Sequence, residues 1–311
     1  MTVVESPGVH AELGARPLSA APVRARKRGG ARRRVGDVVY GALAVVVFVF
    51  SVFPVYWMLN TSFLPNRLIR GSDLHFFPTP DVFTLDNYRT AIFDESRSAF
   101  IPALWNSLGV AAITVVVAMA LGFVASLALT RFSFKGKRTF IVLILVVQML
   151  PGEALFVSIF RIIDSWQMLN TIIGLSIVNI AAVVPFTIWT LRGFVNGVPA
   201  ELEEAAMIDG CSRAGAFWRI TFPLLAPGLV ATGVFALIQA WNEFVIALII
   251  MQRPESMTLP VWLRTFQQAT QATNWGAMMA GATLIAVPVV IFFLLVNNKM
   301  TGGLVSGAVK G

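Results

Sequence analysis

The sequence predicts an all-α fold, a polytopic membrane helix bundle with about six transmembrane helices. Three observations predict it. Of the 311 residues, 57% are hydrophobic and only 13% are charged, whereas a soluble domain carries about 25% charged residues. An apolar excess of this size must face lipid, other spans, or both. Six segments reach the roughly 20 mainly apolar residues that a span requires, at about 38–60, 105–129, 139–161, 171–191, 224–250 and 277–297. The basic residues gather beside these segments, on alternate connections, as membrane orientation demands.

The elements follow in chain order. Residues 1–36 are rich in Pro, Ala, Gly and Arg and lack apolar periodicity, so they read as a disordered tail. Its basic run, Arg24, Arg26, Lys27, Arg28, Arg32, Arg33 and Arg34, ends at the first apolar stretch and reads as a positive-inside signal rather than a nucleic-acid site. The stretch Val38 to Leu59 exceeds the about 7–15 residues of a signal-peptide core, and no small-residue cleavage pattern follows it. The first loop is mixed, with Arg67, Arg70, Arg89 and Arg97 against Asp73, Asp81, Asp86, Asp94 and Glu95. The second carries Arg131, Lys135, Lys137 and Arg138, and the third is short, around Asp164. Between Thr265 and Asn298 there is no charge, but Gln267, Gln268, Gln271 and Asn274 make the first part polar, which places the start of the sixth span near Ala277. The end carries Lys299 and Lys310. The alternation puts both termini and loops 2 and 4 in the cytoplasm.

Loop 4 is a polar, acidic interruption between two apolar segments. Pro199 suits the first turn of a helix, where its missing N–H costs nothing. Glu201, Glu203 and Glu204 follow in that turn, where negative charge favours the positive helix end. Gly210 is placed to end the helix in a left-handed cap. The expected helix covers 199–209, with Leu202, Ala205, Ala206 and Asp209 near one face. Its alanines leave that face shallow, so that a partner's backbone can approach. A second short helix is expected at about 212–222, with Phe217 and Ile220, before Pro223 and Pro227 mark the start of the fifth span. An interfacial helix lying on lipid is usually basic on its polar face; three leading acids argue for a soluble partner instead.

Glu204-Ala205-Ala206, then Asp209-Gly210, Phe217, Ile220, Pro223 and Pro227 resemble the signature loop of ABC importer permeases. Trp241-Asn242-Glu243-Phe244 and the ending Ser306-Gly307-Ala308-Val309-Lys310-Gly311 are similar to the maltose-transporter-type second permease of carbohydrate importers. The similarity covers most of residues 38–311 and leaves out the basic tail. Cys211 stands where the family often has Ala, and Ala214-Gly215-Ala216 is smaller than the family's usual residues there.

The resemblance implies the ABC importer permease fold, with residues 37–300 as the transmembrane permease domain and 192–223 as its cytoplasmic coupling loop. Glu204, Ala205, Ala206, Asp209, Gly210, Phe217, Ile220 and Pro223 would couple it to an ATPase. Residues 1–36 lie outside the resemblance and remain, from composition and charge, a disordered basic cytoplasmic tail; by the resemblance 301–311 would be a second cytoplasmic tail touching the ATPase dimer, and on their own they read as a Gly-rich flexible end. The implied partners are a second, different permease, two copies of a cytoplasmic ATPase subunit and an extracytoplasmic solute-binding protein, in a prokaryotic plasma membrane. ATP and Mg would be used by the partner ATPase, with no cofactor bound by this chain.

Polar residues inside the spans supply solute-path candidates, because an intramembrane ionisable group is a functional candidate by default. Glu153 follows Pro151-Gly152, a pair that breaks or kinks a helix. It either faces solute or pairs with another span or with Arg161. Asn242 and Glu243 either line the path or join helices. Gln148, Asn179 and Gln239 read as interhelical glue. Trp57, Trp105, Trp166, Trp189, Trp241 and Trp262 read mainly as interfacial belt residues.

Other chemistry is poorly served. One cysteine, Cys211, and two histidines, His10 and His75, make a zinc site improbable. No GxxxxGK[ST] phosphate loop occurs, so energy must come from a partner. An ion-coupled carrier would have only Glu153 and Glu243 as coupling sites. An intramembrane enzyme would need clustered His, Asp or Ser. An ABC importer for another solute class, such as amino acids or phosphate esters, fits the loop equally well.

Overall fold

The computed structural model describes residues 30–94, 99–267 and 273–307; the burial of Glu153, of residues 30–35 and of residues 297–307 is outside that description. All regular structure among the described residues is helical. The chain divides into two units, residues 1–53 and 54–311, with the division inside α1 (Gly30–Ser62) just before Pro54. The first unit, where described, is the N-terminal part of α1, whose apolar residues such as Val38, Tyr40, Phe48 and Phe50 are exposed. Arg32, Arg33 and Arg34 therefore belong to the first turns of α1, while the earlier tail lies outside the described residues.

The second unit begins with the last turns of α1 and short α2 (Asn66–Ile69). It continues through α3 (Asp86–Phe93) and α4 (Phe100–Arg131). The 139–161 segment is not one span. It forms α5 (Lys137–Gln148), a 3₁₀ turn at Gly152–Leu155 and α6 (Phe156–Ser165), because Pro151 cannot continue the ladder. Next come α7 (Ile172–Asn196), capped by the Thr171 hydroxyl accepting from Gly174 N at 3.0 Å, and α8 (Glu201–Ile208). After α9 (Arg213–Ala216), a π turn at Phe217–Thr221 runs straight into α10 (Phe222–Trp241). The last helices are α11 (Val245–Ile250), α12 (Leu259–Arg264) and α13 (Trp275–Gly307).

Five stretches among the described residues are long and apolar enough to cross a membrane: Gly36–Ser62, Phe100–Arg131, Ile172–Asn196, Arg213–Trp241 and Trp275–Val296. The remaining expected span, 139–161, is divided between α5 and α6, and neither helix is long enough by itself to be among these five. Residues 301–307 continue α13 and 308–311 lie outside the described residues.

Helices α4, α7 and α10 pack on one another and organise the unit. At Gly228 a Cβ would stand 2.3 Å from Cγ of Phe194, so only glycine lets the α7 ring lie against the α10 backbone. A core of Phe100, Ala103, Trp241, Leu259, Trp262, Phe266, Ala277 and Ala280 joins α4, α10, α12 and α13. Trp241 is 3% and Trp262 0% exposed. These two are core residues rather than belt residues, because the short α12 folds back into the bundle. Trp241 Nε1 donates to Ile285 O at 3.3 Å. Trp105, Trp166 and Trp189 are exposed, as belt residues would be.

Between α6 and α7, Asn170 holds a positive φ of 58°, which Asn tolerates better than most residues. Its Oδ1 accepts from Gln252 N, Arg253 N and Ser256 Oγ at 2.7, 2.8 and 3.0 Å. One side chain thereby ties the α6–α7 turn to the α11–α12 turn.

Candidate functional site

The expected helix in the 192–223 loop forms at Glu201–Ile208, two residues later than its expected start, and ends as expected. Gly210 has φ 91°. Its N–H donates to Met207 O at 3.1 Å, and the next N–H, of Cys211, reaches back to Ala206 O at 3.0 Å. These two bonds form a complete Schellman cap. The second expected helix is not separate from the fifth span. Ser212 caps α9 by accepting from Gly215 N at 3.1 Å, and Phe222 N then reaches back five residues to Phe217 O. That widened turn accommodates Pro223, which has no N–H.

The expected partner face of α8 is divided. Ala206 is only 6% exposed, turned toward α9 and the π turn, where a larger side chain would push the helix away. Leu202, Ala205 and Asp209 stay exposed, as does Glu204. Beside them Ile208 is 86% and Trp218 60% exposed. The solvent-facing side of the loop therefore carries three exposed apolar residues, Leu202 and Ile208 on α8 and Trp218 on the π turn, with the exposed acids Glu201, Glu204 and Asp209 on the same short helix and its end. Ile208 and Trp218 were not singled out from sequence, because an exposed apolar residue is visible only once the helix is placed. Phe217 faces the other way, its ring 6.0 Å from that of Phe123 on α4. Ile220 is half-buried and Pro223 exposed.

Glu203 is the residue that sequence reasoning passed over. It turns inward, and its Oε1 accepts from Thr221 Oγ1 at 2.7 Å and lies 3.1 Å from Arg131 Nη2. The same Arg131 nitrogen donates to Val198 O at 3.0 Å. One carboxylate thus joins α8, the π turn and the end of α4. Short polar contacts and the Phe123–Phe217 packing tie α8 to the ends of two long helices, α4 and α10.

The solute-path candidates separate. The Trp241–Phe244 stretch is a joint between helices. Asn242 Nδ2 donates to Ile238 O at 2.9 Å and closes α10. Both Glu243 oxygens cap α11, accepting from Ile246 N and Ala247 N at 2.7 Å each. Glu153 lies in the 3₁₀ turn between α5 and α6, and its side chain is outside the described residues. The backbone around it borders a cavity of about 540 Å³, into which Gln148, Trp166, Phe186, Phe235 and Gln239 project. Gln148 and Gln239, expected to bridge helices, instead line this space. Asn179, the third, is buried, and its Nδ2 makes no hydrogen bond among the described residues.

The cap geometry sets an expectation for Glu243. Glutamine retains only one acceptor oxygen, so Glu243→Gln forfeits one of the two N–H bonds, at about 1–2 kcal/mol, and Glu243→Leu forfeits both. The loss of thermal stability should therefore rise from Gln to Leu. Equal stability of all three proteins would exclude the capping role, and a changed transport KM in a stable Gln variant would add a solute contact.

Residues 118–299 match the family described as binding-protein-dependent transport system inner membrane component. The chain is 43% identical over 280 residues to the diacetylchitobiose uptake system permease protein DasC of Streptomyces coelicolor, covering 90% of this chain and 99% of the relative. It is 35% identical over 283 residues to the trehalose transport system permease protein SugB of Mycobacterium tuberculosis, covering 91% and 100%. Among solved structures, a bacterial ABC transporter involved in the import of the acidic polysaccharide alginate aligns with a TM-score of 0.67, over 87% of this chain and 98% of that one; at 19% identity this is a likeness of fold.

The class is thus a multi-pass membrane permease of ABC transporters, a transport subunit and not an enzyme. The chain belongs to the family of binding-protein-dependent transport system inner membrane components, the family its loop motif resembles.

Proposed function

We propose that this chain is one of two different permeases in an importer that takes up a sugar or small oligosaccharide handed over by an extracytoplasmic solute-binding protein. The observation that carries the coupling part is the exposure of Leu202, Ile208 and Trp218 on a loop whose helix ends in a complete cap. Exposed apolar residues of this kind suit a soluble partner, here a cytoplasmic ATPase subunit present in two copies. ATP and Mg belong to that partner. The relatives named for diacetylchitobiose and trehalose transport support a sugar as the solute.

In this reading both termini and the 192–223 loop are cytoplasmic, in a prokaryotic plasma membrane. Closure of the ATPases on ATP pushes α8. The push reaches α10 through the π turn and α4 through Glu203 and Phe217, and access switches to the outside. This is a two-state element that nucleotide and solute both bias. The joint at Asn242–Glu243 and the turn carrying Glu153 sit where the spans are interrupted, which favours residues of a solute path.

Deleting the gene in its host and following labelled solutes tests the proposal. Uptake of a disaccharide or trisaccharide should disappear and return with a plasmid copy, while amino-acid and phosphate-ester uptake stays normal. Loss of amino-acid uptake instead would assign another solute class. Uptake that survives ATP depletion and follows an ion gradient would establish a secondary carrier.

A further inference from the structure

A second feature is built between the start of α5 and the end of α7. Lys137, Arg138 and Arg192 converge there with Phe134, Thr139 and Val142 around a cavity of about 580 Å³, a volume in the range of small-ligand sites. The guanidinium of Arg192 lies 5.7 Å from the centre of the Trp189 ring, and its Nε is buried with no hydrogen-bond partner among the described residues. Lys137 Nζ donates to Phe132 O at 3.1 Å. Arg138 is exposed and makes no hydrogen bond or ion pair among the described residues. There is no compensating anion nearby in sequence: α5, the turn before it and α7 contain no Asp or Glu.

The cations border an apolar surface. Phe140, Val142, Leu143 and Val146 are exposed along α5, and Trp189 is exposed on α7. Acyl chains would cover the apolar stripe, while an anionic group at their end would meet the three cations.

We propose that this cavity binds the phosphate headgroup of an anionic phospholipid. Basic pockets between transmembrane helices, just beyond the apolar zone, suit such headgroups. Arg192 lines the cavity, and its guanidinium lies against the Trp189 ring, which places a cation at the cavity wall. A soluble phosphate would satisfy the cations but not the adjacent apolar stripe, so the lipid is the favoured source. The inference rests on the membrane placement and not on the sugar reading.

The test uses the whole transporter, purified with its partner subunits and placed in nanodiscs of phosphatidylcholine with stepped amounts of phosphatidylglycerol. Retained lipid is counted by native mass spectrometry. The expected result is tight retention of phosphatidylglycerol over phosphatidylcholine. The double substitution Arg138→Gln/Arg192→Gln should weaken retention about thirty-fold, at about one kcal/mol per cation near the surface. Equal retention of the two lipids, or unchanged retention in the double variant, would overturn the proposal. Displacement of the lipid by millimolar glycerol phosphate would reassign the cavity to a soluble anion. If the double variant fails to assemble, exposed Arg138→Gln alone should still weaken retention about five-fold, and no change there would overturn the proposal as well. Sugar uptake is not a readout, so failure here leaves the transport proposal standing.

Discussion

Gly210→Pro should abolish import while leaving the protein in the membrane. Proline fixes φ near −65°, whereas residue 210 sits at 91°. The substitution also removes the N–H that donates to Met207 O. Both halves of the Schellman cap are then lost, because the Cys211 N–H depends on the same reversal to reach Ala206 O. Backbone strain of about 1–3 kcal/mol and a lost bond of about 1 kcal/mol are enough to unwind a helix of eight residues that is marginal alone. The exposed Leu202 and Ile208 would then lose their fixed positions on α8. On the proposed reading, ATPase subunits should co-purify at less than about a tenth of the normal yield, with import falling in proportion. Gly210→Ala keeps the N–H and meets only the left-handed penalty of about 1 kcal/mol, so it should be partly active. Exposed Glu204→Lys should cost still less, about 0.3–1 kcal/mol through the helix dipole. Normal import by Gly210→Pro would remove α8 from the coupling role.

The second large effect is expected at Glu203. Its side chain and that of Arg131 are only 16% and 17% exposed. Glu203→Ala would leave the Arg131 guanidinium without a counter-charge and with only the Val198 carbonyl as a partner, its Nε having none among the described residues, and would leave the Thr221 hydroxyl, which donates to Glu203, without its acceptor. Breaking one side of a fully buried pair costs about 3–5 kcal/mol; the partial exposure here lowers that to about 2–4 kcal/mol. Arg131→Met in the same chain should recover part of the loss, since no charge then remains unpaired. Thermal unfolding of the solubilised complex reads both changes. Beyond stability, a loosened α8 should let ATP hydrolysis run without import. Glu203→Ala with native unfolding temperature and native coupling would show that the contact does not order the loop.

Much of this was legible in the sequence for local reasons. The loop helix was readable because Pro199, the leading acids and Gly210 each act within one or two turns. The break after Gln148 was readable because Pro151-Gly152 is a backbone signal that does not depend on neighbours. The six apolar segments were readable because lipid imposes a length on any helix that crosses it. What misled was anything that depends on facing. Trp241 and Trp262 have the composition of a belt and the burial of a core, and nothing in their own segments distinguishes the two. Ala206 looked like part of a partner's footprint and is spent on α8's own packing. Glu203 looked like one of three equivalent acids, yet its position on the helix turns it toward Thr221 and Arg131, the latter 72 residues earlier in the chain.

The sequence by itself determined the class of the molecule: helices long and apolar enough to span, the turns between them, and a family-specific loop. Those properties reside in composition and in backbone preferences of a few adjacent residues. The tertiary structure decided which polar group does which job. It made Glu243 a helix cap, Glu203 the clamp of the loop, and Gln148 and Gln239 the lining of a cavity. A carboxylate takes its role from the donors that surround it: those of Glu243 lie three and four residues on, whereas those of Glu203, Thr221 and Arg131, are brought to it from the π turn and from α4 by the packing of the helices.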